Sequence, residues 1–266
     1  MSQTLTDQSQ LPFWKRSHYL DRMDFRQLVV AYFQHYTILA YLAVTAACAV
    51  AYAWFPASPL QVLGAAAAAL VVYPLVWHLL HQYVLHGQWM YRWKLLSPTW
   101  KRIHYDHHQD PNDLNVLFGA LHTTLPTIAL ATIPVGWLIG GVGGALVAFA
   151  TGVLTTCYYE FMHCIQHLAF KPKWKWVQFM KQRHNEHHYF DEDGNYGITN
   201  YVWDRLLGTY YEKKDRPKRS PTVFNLGYTE DVAVHFPWVK ELSGGIASGH
   251  PRRRAMGKEG EDRIAA

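Results

Sequence analysis

No Asp, Glu, Lys or Arg occurs between Gln27 and Tyr91, and none occurs again between Leu114 and Tyr159. A bilayer core of about 30 Å takes roughly 20 helical residues, so each charge-free block is long enough for two passes. The first block breaks at a PASP run, residues 56–59, and the second at a GGVGG run, residues 140–144. This predicts membrane helices at about 28–55, 60–85, 117–139 and 142–165, four spans in two hairpins. Pro74, Pro126 and Pro134 lie inside these spans, where neighbouring groups can re-satisfy a carbonyl freed by proline. The expected fold class is therefore all-α and integral to the membrane, with a helical cap outside it.

The basic residues set the expected orientation. Lys15, Arg16, Arg22 and Arg26 precede the first helix, Arg92, Lys94, Lys101 and Arg102 lie between the hairpins, and neither hairpin tip carries a cation. The positive-inside rule then places both termini and the central segment in the cytoplasm. Trp14, Trp89, Trp93, Trp100, Trp174 and Trp176 stand beside these cations, as headgroup anchors do. A formal net charge of +5 thus suits an anionic membrane face and calls for no nucleic acid. Residues 1–10 lack the basic start and apolar run of a secretory signal. Cys48, Cys157 and Cys164 fall inside the spans and read as helix packing rather than a disulfide framework. Residues 1–236 are expected to form one membrane domain, and residues 237–266, with GGIASGH and PRRRAMGKEGED, a loose tail.

The chain has 16 histidines, and ten of them recur as two plus three in each half. His81 and His86 close the second span and His104, His107 and His108 follow; His163 and His167 close the fourth and His184, His187 and His188 follow. Positions three and four apart share a helix face, which groups His104 with His107 and His108, His184 with His187 and His188, and His163 with His167. His81 and His86, five apart, are separated by about 140° on a regular helix. They can act together only if that helix ends or distorts near Gly87. All ten are expected at the cytoplasmic mouth of the spans. His18, His35, His78, His122, His235 and His250 read as packing residues.

Ten crowded imidazoles are costly to bury unless something satisfies them. Neutral imidazole binds iron, zinc and copper, and ten ligands fit two ions and overfill one. Glu160, Asp106, Glu186 and Asp204 are candidates for orienting the rings by accepting their free N–H, against an alternative reading as interfacial charge or helix caps. No catalytic residue is expected beyond the ligands. Asn195, Tyr196 and Gly197 are expected to make a turn.

The order His81-x4-His86, His104-x2-His107-His108, His163-x3-His167 and His184-x2-His187-His188 resembles the fatty acid hydroxylase/sterol desaturase superfamily. The flanks HHQDPNDLNVLF and HNEHHYFDEDGNYGITNYVWDRLLGTY are similar to its fatty acid 2-hydroxylase branch. The segment YYEFMHCIQH departs from the branch pattern, with Glu160 at its acid position and no second histidine after His167.

The resemblance implies two iron ions, O2 as co-substrate, and hydroxylation of an unactivated C–H bond in a lipid acyl chain, of a fatty acid or a sphingolipid. It also implies a separate electron-transfer partner, such as cytochrome b5 or a ferredoxin with its reductase, since the chain shows no haem motif. An apolar tunnel would take the acyl chain, leaving the head group at the basic, aromatic surface. Zinc fits the same imidazoles and would fill them inertly after purification. A sterol or lipid desaturase using the same metals is the alternative. A membrane cytochrome would leave the H-x-x-H-H clusters unexplained, and a zinc protease would want H-E-x-x-H rather than HNEHH; a non-catalytic metal store or transporter stays open, though transporters favour a site at mid-membrane.

Overall fold

The computed structural model describes residues 18–245. Among them every regular element is helical, and the one extended contact is an isolated bridge between Tyr19 and Asp113. These residues group into two compact units, 18–76 with 113–170 and 77–112 with 171–245.

In the first unit, helix α1 (Phe25–Gln34) starts at Asp24. The Asp24 carboxylate accepts from the Gln27 N–H at 2.8 Å and the Gln27 side chain accepts from the Asp24 N–H at 2.9 Å, a capping box. Helix α2 (Tyr36–Tyr52) leaves α1 at 60°. The single span expected over 28–55 is therefore broken. His35 adopts extended backbone angles (φ −72°, ψ 131°), and its Nδ1 accepts from the Thr37 N–H at 3.3 Å, capping the start of α2.

Helix α3 (Pro59–Leu80) tolerates Pro74 in its interior. Helix α4 (Leu121–His167) contains the GGVGG run, where Gly140 (φ −146°, ψ 28°) and Gly141 (φ 57°, ψ −143°) leave helical geometry. The positive φ at Gly141 suits a residue without a Cβ, and the chain folds back there. The two arms approach so closely that a Cβ on Gly136 would clash with the Gly144 carbonyl, and one on Gly152 would lie 2.8 Å from Ile128. Small residues permit such contact where no water drives helices together. The tips also meet, since a Cβ on Gly143 would clash with the Phe55 carbonyl. Tyr41 donates to Thr124 Oγ1 at 2.7 Å, tying α2 to α4 with a buried hydrogen bond.

Two helical stretches are long and apolar enough to cross a membrane, Pro59–Leu85 and Leu114–His167, and a third is if α1 and α2 count as one bent span. Leu60, Leu63, Leu130 and Leu138 are each more than two-thirds exposed. A surface of that kind is disfavoured in water and covered by lipid tails. The chain is integral to the membrane.

The second unit is built from short helices and loops around α5 (Lys175–Tyr189) and α6 (Val202–Leu207). Its aromatic core joins Met90, Tyr91, Trp100, Tyr105, Leu226 and Tyr228. Trp100 Nε1 donates to the Leu85 carbonyl at 3.0 Å, and Trp238 Nε1 donates to the Tyr91 carbonyl at 2.6 Å. Of the expected loose tail, Trp238–Leu242 is a short helix with Val239 buried; residues 246–266 lie outside the described residues, as do residues 1–17 with Trp14, Lys15 and Arg16.

Candidate metal centre

The geometry of the second unit begins with the distortion that the five-residue spacing demanded. The chain from His81 to Leu85 is a π-turn, closed by the His86 N–H donating to the His81 carbonyl at 3.0 Å. An i→i+5 hydrogen bond brings residues five apart over one another, which a regular α-helix does not. The His81 and His86 rings consequently lie 5.0 Å apart, centroid to centroid. A second π-turn, Lys101–Tyr105, leads into the His104–His108 segment. On α5, His184, His187 and His188 share one face, with His184 and His188 rings 4.5 Å apart.

These pieces converge. His81, His86, His104 and His187 bring ligand nitrogens within 4.8 Å of one another; so do His107, His184 and His188, and so do His108, His187 and His188. His104 Nε2 lies 3.1 Å from His81 Nε2 and 2.9 Å from His86 Nε2. The His108 and His188 rings are 4.2 Å apart and the His107 and His188 rings 4.6 Å. His184, His187, His188 and His108 are completely buried. In the first unit, His163 and His167 stand one turn apart on α4, with ring centroids 5.1 Å apart.

Three of the rings have their tautomer set by the backbone. His81 Nδ1 lies 2.6 Å from the Tyr196 carbonyl, His187 Nδ1 2.7 Å from the Gly194 carbonyl and His108 Nδ1 2.9 Å from the Val223 carbonyl. A carbonyl can only accept, so each Nδ1 carries the proton and each Nε2 presents its lone pair. Burial, reinforced by neighbouring imidazoles (His187 first for His86, His108 first for His104), holds both well below the usual histidine range. The His81 Nε2 lone pair faces His104 Nε2, which also lies beside His86 Nε2, so ring nitrogens of neutral imidazoles converge as the ligands of a metal ion do. The donor set therefore fits metal ions, and neutral imidazole is the form that binds them.

The four acids singled out from the sequence have defined partners. Asp106 pairs with Lys101 at 2.7 Å, and Glu186 pairs with Arg183 at 2.8 Å and accepts from Gln182 at 3.2 Å. Glu160, buried in the first unit, accepts from the Gly119 N–H at 3.2 Å. Asp204, buried, accepts from the N–H groups of Tyr196 (2.7 Å) and Gly197 (3.0 Å) and from the Thr209 hydroxyl (2.9 Å). The acceptors seen on His81, His108 and His187 are main-chain carbonyls, which sequence reasoning missed; the expected NYG turn supplies one of them and Gly194, just before it, another. Of the histidines read as packing, His78 is buried 3.6 Å from Asp204, His35 caps α2, His18 offers its carbonyl to Leu114 and His235 is exposed. His122 lies at the start of α4, and His250 falls outside the described residues.

Helices long and apolar enough to cross a membrane, and a buried all-imidazole cluster that could hold metal ions, define a polyhistidine membrane protein. The fatty acid hydroxylase family model matches residues 66–209, more than half of the chain, and the chain belongs to that family. It is 27% identical over 146 residues to the ceramide very long chain fatty acid hydroxylase SCS7 of Saccharomyces cerevisiae, covering 52% of this chain and 36% of that protein. It is 26% identical over 162 residues to the dihydroceramide fatty acyl 2-hydroxylase FAH2 of Arabidopsis thaliana, covering 57% and 62%. The match thus spans less than two-thirds of either relative. A solved structure described as full-length Scs7p, with only its hydroxylase domain visible, shares the fold at a TM-score of 0.58 and 22% identity, covering 74% of this chain and 73% of that one.

Proposed function

We propose that this chain is an O2-dependent di-iron hydroxylase that inserts oxygen into an unactivated C–H bond of a lipid acyl chain, of a fatty acid or a sphingolipid. The observation that carries the reading is the convergence of His81, His86, His104 and His187, with His81 and His187 locked so that Nε2 faces inward. The names of the relatives supply the substrate class.

All ten histidines are proposed as ligands, the eight of the second unit and, on α4, His163 and His167. When bound, iron at such a site supplies the activation of dioxygen. The chain's own residues hold the ions, keep the imidazoles neutral by burying them, and exclude water with the Tyr196 ring packed against His81, His86 and His187. Electrons are proposed to come from a separate carrier protein. Each arm of α4 is proposed as a span, which restores four spans in two hairpins, with both termini and the metal site on the cytoplasmic side.

The test is lipid mass spectrometry of cells with and without the protein. Hydroxylation adds one oxygen to an acyl chain; a loss of two hydrogens would instead identify a desaturase, and an unchanged lipid profile would remove the proposal.

A further inference from the structure

The Asp204 carboxylate and the His81 ring are joined through one peptide group. Tyr196 C=O and Gly197 N–H are the two edges of the same planar trans amide. On one edge, Asp204 Oδ2 accepts from the Gly197 N–H at 3.0 Å; on the other, the Tyr196 carbonyl accepts from His81 Nδ1 at 2.6 Å. Asp204 Oδ1 accepts from the preceding N–H, that of Tyr196, at 2.7 Å, so both carboxylate oxygens grip the turn.

The contact is built for this approach. Asp204 is 1% exposed, and its own carbonyl accepts from Thr209 and Tyr210 N–H groups at 2.8 and 3.1 Å, so its position on α6 is fixed at main-chain level. The Thr209 hydroxyl adds a third donor to the carboxylate at 2.9 Å. Gly197 has no side chain to obstruct: a Cβ there would lie 2.8 Å from Asp204 Oδ2 and clash with the Asn200 carbonyl. His78 Nδ1 lies 3.6 Å from Asp204 Oδ2.

We propose that Asp204 is a positioning residue for the metal centre, acting through the Tyr196–Gly197 peptide to set which nitrogen of His81 bears the proton and how strongly the other donates. A carboxylate on the N–H edge polarises the amide and makes its carbonyl a better acceptor. A better acceptor on Nδ1–H makes Nε2 a stronger donor to a cation. Asp204 thus does by relay what a carboxylate bound directly to a ligand histidine does. This rests on the reading of His81 as a metal ligand.

The test measures metal binding without turnover. Apoprotein in detergent is titrated with Co2+, whose visible absorption reports ligand geometry, for the wild type, Asp204→Asn and Thr209→Val. Asp204→Asn keeps the shape but removes the charge and one of the two acceptors, and it is expected to weaken one of two Co2+ equivalents about 10–100-fold, the usual effect of losing a ligand's orienting partner. Thr209→Val, which leaves the carboxylate in place with one donor fewer, is expected to weaken the same equivalent by a smaller factor. Wild-type affinity for both equivalents in Asp204→Asn would overturn the relay. Equal loss of both equivalents together with a lower unfolding temperature would also overturn it, by making Asp204 a general structural residue. If Asp204→Asn does not fold, Thr209→Val decides: selective weakening of one equivalent supports the relay and unchanged binding overturns it. Wild type that binds no Co2+ would instead remove the metal-site reading itself.

Discussion

His187 is the residue whose loss separates metal binding from ordinary packing. Its ligand nitrogen belongs both to the group with His81, His86 and His104 and to the group with His108 and His188. It is fully buried and donates Nδ1–H to the buried Gly194 carbonyl at 2.7 Å. His187→Ala therefore acts in two ways. It leaves the Gly194 carbonyl without that donor, costing about 1–3 kcal/mol whether or not metal is present. It also removes a ligand, and with metal in hundredfold excess over its dissociation constant the bound ion stabilises the native state by about 2.7 kcal/mol. Only the second contribution disappears on chelation. Unfolding free energies in detergent, measured with iron and again after chelation, should fall by about 2.7 kcal/mol per bound ion for wild type and much less for His187→Ala, whose starting value is already lower. His235→Ala, at an exposed position, should behave as wild type in both conditions. Equal chelator responses in His187→Ala and wild type, or a wild type indifferent to chelation, would refute the argument.

Gly136→Val should force the two arms of α4 apart at the Gly144 carbonyl, an overpacking that costs about 1–3 kcal/mol; an unchanged denaturation midpoint in detergent would contradict the packing. The metal-free protein should lose stability as the pH falls below 6.5. Burial depresses His86 and His104, so the unfolded chain takes up protons there that the native chain refuses, and the stability present above the unfolded value of 6.5 is lost on acidification. Denaturation midpoints at pH 7.5 and 5.5 check this, and a midpoint that rises at pH 5.5 would reverse the sign.

Much of the grouping of histidines in the candidate centre was legible before any coordinates. Triplets at three- and four-residue spacing meet on any α-helix, so His184, His187 and His188 could be grouped from their numbers alone. The misfit at His81 and His86 was legible too, as a demand for distortion, but not the π-turn that meets it. The bend within the first expected span was not legible, because an apolar run such as 28–55 carries no charge to mark it, while His35 makes it by capping α2 with its own ring. The acids were chosen for being carboxylates, and charge does not announce its partner: Asp106 turns to Lys101 and Glu186 to Arg183.

By itself, then, the chain's order of residues determined where lipid must cover it, because a helix cannot hold unpaired charge in hydrocarbon, and which histidines could act in groups, because helical period is a property of every α-helix. Tertiary structure alone decided which nitrogen His81 and His108 offer. The Tyr196 and Val223 carbonyls reach His81 and His108 across 115 residues of chain in each case. Every residue but its neighbours carries the same C=O, and only folding selects the few left outside helices, pointing inward, to hold a ring in place.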